Sequence, residues 1–143
     1  MKYLMQLFAL GLFFVSFGLS AQSVTGKWKT IDDETNKPKS IVEIYEKDGK
    51  MYGKVVELFR GADEDQDPVC EKCKDHRKGQ KIIGMNIVSD MKKDGDEYSG
   101  GEIMDPANGK TYTCKFWLED AKTLKVRGYW GFIYRTQTWH KAD

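Results

Sequence analysis

Only two histidines, His76 and His140, occur in the 143 residues, and the chain has neither a Gly-x-Ser-x-Gly elbow nor a phosphate-cradling glycine loop. Without them the familiar nucleophilic hydrolases and nucleotide-binding folds have no foothold. Charge of one sign is lacking too, since 23 Lys and Arg oppose 22 Asp and Glu for a formal +1 at pH 7. A nucleic-acid binder carries a surplus of base to neutralise phosphates, so nucleic acid is not the expected partner. No segment sustains a helical period, which argues against a helical bundle. Cysteine is scarce at three, an odd number that cannot pair completely within one chain. The length gives room for one compact domain and no more.

What is present begins with an export signal. Met1 to Ala21 carries Lys2 as its only charge, then an apolar run from Leu7 to Leu19 broken by Gly11, Ser16 and Gly18, then the small residues Ser20 and Ala21. This is the order of a secretory signal peptide, and the run falls short of the roughly 20 residues that span a bilayer. Removal of 1–21 leaves 22–143 as a single domain beginning at Gln22, where no cysteine offers a lipid anchor. With Lys2 gone the mature chain is formally neutral and has no membrane span, and it is expected in the periplasm or outside the cell. Any binding site must then be local rather than a field of one sign.

Turn signals recur at short intervals through the mature chain: Asp48-Gly49, Asp94-Gly95, Asn108-Gly109 and the polar stretch Glu119-Asp120-Ala121-Lys122. Between them lie runs rich in Val, Ile, Tyr, Phe, Trp and Thr, the punctuation of hairpins. Strands are predicted near 25–30, 39–47, 50–59, 86–93, 96–104, 110–118, 122–129 and 132–141. Alternation is cleanest in the sixth, where Tyr112, Cys114, Phe116 and Leu118 share one face against Thr111, Thr113 and Lys115. One dry and one wet face in a meander of antiparallel strands predict an all-β, eight-stranded up-and-down barrel, because closure removes exposed edges. A sandwich is the alternative. Arg60 to Lys81 is too long for a hairpin, and loops of that length are usually functional or disordered. If the third strand ends near Phe59, the segment crosses or covers one mouth of the barrel.

Tyr98, Glu102, Met104, Tyr112, Phe116, Trp130 and Tyr134 are the candidates for inward-facing residues. They line a cavity for an apolar ligand or simply fill the core, and both readings stay open. If Glu102 faces inward with Tyr98, its carboxyl is buried and its pKa rises. Trp28 opens the first strand, while Arg127 and Arg135 lie on the last two. First and last strands are neighbours in a closed barrel, so one of these guanidiniums is expected over the Trp28 indole, plugging the floor by a cation–π contact.

The cysteines allow four arrangements: a Cys70–Cys73 disulfide with Cys114 buried and free, a bridge from Cys114 to either loop cysteine, a zinc site from Cys70, Cys73, His76 and Cys114 or an Asp, or a redox-active Cys-x-x-Cys. An exported chain favours oxidation. Asp63, Asp65 and Asp67 alternate as calcium ligands do, but Pro68 and Lys74 stand where such a loop needs Gly and Glu.

Gly26-x-Trp28 with a late-strand arginine resembles the lipocalin and calycin group of ligand-binding barrels. Across the chain, Gly26-Lys-Trp, Val42-Glu-Ile-Tyr, Gly53-Lys-Val-Val, Arg77-Lys-Gly-Gln-Lys-Ile-Ile-Gly-Met85, Gly101-Glu-Ile-Met-Asp-Pro-Ala-Asn-Gly-Lys-Thr-Tyr112, Leu124-Lys-Val-Arg-Gly-Tyr129 and Gln137-Thr-Trp139 resemble the bacterial family known as domain of unknown function 2147. The resemblance implies an exported, lipocalin-like barrel and brings no catalytic residues. The expected role is therefore binding rather than catalysis, with a small apolar ligand or an envelope protein as partner and no resident cofactor. Two rivals are a metal- or thiol-dependent protein centred on Cys70, Cys73 and His76, for which zinc is the candidate, and a structural cell-envelope module.

Overall fold

The computed structural model describes residues 11, 13 and 22–142, so the expected export signal lies outside the described residues apart from two positions. Eight strands follow one another: β1 (Gly26–Ile31), β2 (Pro38–Lys47), β3 (Lys50–Leu58), β4 (Asn86–Asp94), β5 (Glu97–Asp105), β6 (Lys110–Asp120), β7 (Thr123–Trp130) and β8 (Ile133–Lys141). Each pairs antiparallel with the next and β8 returns to β1, closing the barrel and setting aside the sandwich. The boundaries fall within two residues of those expected from alternation and turn residues. Among the described residues no helix is long and apolar enough to cross a membrane.

The barrel has a filled floor. Trp28, Val42, Val88, Met91, Phe116 and Leu124 are fully buried in its interior, joined by Trp139 and Ile44. An eight-stranded barrel is just wide enough for such side chains to meet across it. Tyr98 enters this layer by stacking on Phe116, ring centroids 5.1 Å apart. Nearer the opposite end, Thr30 and Ser40 bury their hydroxyls against each other at 2.6 Å, so neither polar group goes unpaired.

The ring closes through a short seam. β1 and β8 pair at Trp28 with Lys141 and at Lys29 with His140, and the Ala142 N–H donates to the Lys27 carbonyl at 2.9 Å. The Trp28 indole N–H donates to the Val24 carbonyl at 2.8 Å. Its ring is covered by Lys141, whose Nζ stands 5.3 Å from the centroid. The floor cation is thus Lys141, not Arg127 or Arg135. Leu124 and Val126 point inward on β7, so alternation turns Arg127 out, where its guanidinium lies 4.4 Å from the Tyr134 ring and 5.0 Å from that of Trp117. Arg135 sits about 20 Å up the strand from Lys141, at roughly 3.3 Å per residue. There it pairs with Asp33 of the β1–β2 turn at 2.7 Å. Asp33 also accepts from the Gln137 amide at 2.9 Å, which holds the turn across the seam above the floor.

One irregularity redirects β5. The β5–β6 register shifts between Tyr98 and Gly101, and Gly100 takes a φ of +80°, a left-handed conformation that glycine adopts without a Cβ clash. A bulge inserts a residue and inverts the alternation beyond it. Glu102, expected inside with Tyr98, therefore faces solvent, opposite Ser89 and Thr113.

Removal of the floor indole by Trp28→Ala should destabilise the barrel by about 3–5 kcal/mol, the usual cost of emptying a large buried aromatic site. Lys141→Ala, which takes away only the cation over a packed ring, should cost about 0.5–1 kcal/mol. Urea midpoints of the two variants check the ranking, and equal losses would contradict it.

Candidate functional site

The connections β1–β2, β3–β4, β5–β6 and β7–β8 all lie at the end of the barrel away from Trp28. The β3–β4 connection is the long one, and it has internal order. Val69 and Lys81 form an isolated antiparallel bridge. The Cys70 N–H donates to the Gln80 carbonyl and the Gly79 N–H to that of Cys70, both at 2.8 Å. Lys81 pairs with Asp67 at 2.8 Å.

This small ordered unit seats itself on the β5–β6 hairpin. Cys73 Sγ lies 3.8 Å from Met104 Sδ and Cys70 Sγ 3.8 Å from the Pro106 carbonyl oxygen. Gly109, at φ +71°, has its backbone against Lys72, and a Cβ there would collide with the Lys72 carbonyl. Met104 shares the outer side of β5 with exposed Glu102, yet it is only 2% exposed because the loop covers it. The segment expected to cover a mouth thus packs along the rim.

Cys70 and Cys73 form a disulfide, which suits an oxidising compartment. Cys114 is free and buried on the inward face of β6, and burial pushes its thiol up to about 12. The four zinc candidates are therefore not assembled: two sulfurs are bonded to each other, Cys114 lies within the barrel, and His76 is exposed. Among the described residues no three of His, Cys, Asp and Glu are grouped to hold a metal ion.

Between the loop and two hairpins lies a cleft of about 410 Å³, walled by Cys73, Met104, Tyr112 and Trp130, with Asp75 and Lys110 at its edge. Arg77 donates to both Asp75 carboxylate oxygens, the shortest contact 2.6 Å from Nη2, and holds that carboxyl down to about 2. A second guanidinium bond, to the Asn86 carbonyl at 3.1 Å, anchors the pair to β4. Lys110 extends its Nζ to 5.6 Å from the Trp130 ring, and Lys74 also borders the cleft. A second depression of about 490 Å³ lies across the rim, beside Lys29, Leu58 and Arg60.

The structure brings Met104, Tyr112 and Trp130 together at this cleft and separates the other expected cavity residues. Tyr98 and Phe116 belong to the packed interior, Glu102 to the outer surface, and Tyr134 to the outer wall over Arg127. Cys73, Asp75 and Lys110 went unassigned as cleft residues. Only the Cys-x-x-Cys marks their neighbourhood, and it does not say which hairpin the loop meets.

A closed, eight-stranded antiparallel barrel with a cleft at its rim defines the lipocalin-like class. Protein HP1028 from the human pathogen Helicobacter pylori, described as belonging to the lipocalin family, is similar with a TM-score of 0.72 and 22% identity, over 85% of this chain and 84% of that one. That likeness shows the fold. The chain belongs to the bacterial family described as "Uncharacterized protein conserved in bacteria (DUF2147)", whose model matches residues 26–141. No curated protein gives a significant sequence match.

Two outcomes follow. With a thiol pKa of about 12, about one Cys114 in ten thousand is ionised at pH 8, so iodoacetamide should leave the folded, unreduced protein unmodified and add one carbamidomethyl group in denaturant. Intact mass reads both, and modification of the folded form would contradict the burial. Asp75 is held as a carboxylate in the folded state, so its contribution is complete above its ordinary pKa near 3.8 and disappears as pH falls towards about 2. Loop protection measured by hydrogen exchange at residues 70–80 should fall in that window, and Asp75→Asn should show the lower protection already at pH 7.

Proposed function

We propose that the protein is an exported, lipocalin-like carrier that binds a small, largely apolar molecule bearing one acidic group, at the rim cleft rather than deep in the barrel. The observation carrying this reading is the coincidence of apolar walls from Met104, Tyr112, Trp130 and the disulfide with Lys110 and Lys74 at the edge. Asp75, the acid beside them, is already engaged by Arg77. The two ammonium groups are left to meet a ligand's anion, while the walls take its apolar body.

The packed floor supports a site at the mouth, since Trp28, Phe116 and Trp139 occupy the interior that a deeper ligand would need. The disulfide fits a periplasmic or extracellular home. No catalytic role is assigned: Glu43 pairs with Lys54 at 3.8 Å, and Glu102 stands exposed on the outer surface rather than in a site that would tune it for acid–base work.

The test is fluorescence titration with neutral N-phenyl-1-naphthylamine and with acidic dansyl-undecanoic acid. Both probes should bind, the acidic one more tightly. Trp130→Ala should weaken both by about tenfold, in line with losing part of a buried aromatic contact. Lys110→Ala should reduce the preference for the acid and leave the neutral probe unaffected, and Lys74→Ala/Lys110→Ala should remove the preference. Absence of binding by either probe, or binding indifferent to Trp130→Ala, would overturn the proposal.

A further inference from the structure

The largest apolar exposure in the barrel lies on the β7–β8 hairpin. Phe132 is 93% exposed at the turn, Trp130 70% and Ile133 61% behind it, and Tyr134 57% one row further back. Soluble surfaces carry single exposed apolar residues without consequence, but a contiguous group of this kind marks an interaction site.

The order of side chains along the hairpin is what identifies the partner. Phe132 is foremost with Gly131. Trp130 and Ile133 form the next row, Tyr129 and Tyr134 the third, and Arg135 opposite Gly128 the fourth. Arg127 lies behind, its guanidinium over the Tyr134 ring, and Lys110 flanks the hairpin at the Trp130 ring. Apolar tip, amphipathic aromatics and then cations reproduce, within about 10 Å at roughly 3.3 Å per residue, the sequence of environments from acyl chains through the interface to anionic headgroups.

A protein groove would call for apolar side chains on one face of the hairpin. Here they ring its tip instead. Trp130 and Ile133 carry the inward alternation of their strands, and Tyr134 the outward one. Acids near this face are engaged: Asp33 of the neighbouring β1–β2 turn pairs with Arg135 at 2.7 Å, and Asp67 of the long loop pairs with Lys81 at 2.8 Å.

We infer that the β7–β8 hairpin docks the protein on an anionic lipid bilayer, inserting Phe132, Ile133 and Trp130 into the interface with Lys110 and Arg127 facing the headgroups. Docking in this pose also turns the rim cleft, which shares Trp130, towards the membrane.

The experiment is co-sedimentation of the chain from Gln22 onward, which holds the whole closed barrel, with vesicles of phosphatidylethanolamine and phosphatidylglycerol. The double variant Phe132→Ser/Ile133→Ser lies outside the cleft, so probe binding there serves as its control for folding and for the carrier reading. Vesicle binding should fall at least tenfold in the double variant while probe binding persists. In a Trp117→Phe background Trp130 is the one exposed tryptophan, and its emission should shift to the blue and be quenched by brominated acyl chains. Failure of the unaltered barrel to sediment with vesicles, or sedimentation unchanged in the double variant, would overturn the inference. So would a dimer in analytical ultracentrifugation that the double variant abolishes while vesicles are ignored, since the tip would then be a contact between two copies.

Discussion

The Trp28 indole sits where the first strand meets the last, its N–H bonded to the Val24 carbonyl and its face covered by Lys141. Two residue pairs and the Ala142–Lys27 hydrogen bond join the edges of β1 and β8, so backbone hydrogen bonding alone gives a weak closure. Burial supplies the rest. Trp28 and Trp139 fill the space behind the seam, and apolar area removed from water is the dominant favourable term in folding. Higher up, the Asp33–Arg135 pair crosses the same gap, but with Arg135 largely exposed it contributes little stability. The seam is thus firm at the floor and weaker at the mouth, which places the adaptable end of the barrel where its cleft lies.

Filling the floor constrains the rest of the molecule. An interior occupied by two indoles, Phe116 and Met91 leaves the open cleft at the rim rather than in the floor. The rim acquires its own apolar patch by folding the β3–β4 loop against the β5–β6 hairpin. The disulfide is central to that arrangement because it presents two sulfurs as a compact apolar wall against Met104 and Pro106. Gly109 permits the approach, and Arg77 secures the loop to both Asp75 and the β4 backbone. Loop, disulfide and hairpin act as one unit, so a change at any of these positions reaches the cleft.

Strand positions were legible because alternation and Asp-Gly or Asn-Gly turns are local signals with a period of two. The closed ring follows from them through the need to remove edges. Three kinds of information were not legible. Glu102 is turned outward by a bulge at Gly100, and one inserted residue inverts everything after it. The cation over Trp28 depended on register at the closing seam, where Lys141 rather than Arg135 comes level with the indole. Met104, Tyr112 and Trp130 could be singled out as large apolar residues near turns. Their meeting with Cys73 and Lys110 depended on where an aperiodic loop comes to rest, which residue spacing does not encode.

Exposed aromatics on β7 and β8 acquire their meaning from that same division between floor and rim. On the lower halves of these strands Leu124, Val126 and Trp139 are buried by the barrel, whereas the upper rows run past the packed interior and present Trp130, Ile133 and Tyr134 to solvent. Burying that apolar surface in a partner is favourable, and keeping it exposed raises the hazard of aggregation. The neighbouring cations limit the hazard in water, since the Arg127 guanidinium and the Lys110 ammonium lie over aromatic faces while their charged heads stay hydrated. In the proposed docking, such a hairpin gains stability against a surface that accepts its tip and matches its charges. Because Trp130 belongs to both the tip and the cleft wall, occupancy of one surface bears on the other through a shared side chain, without requiring the barrel to open.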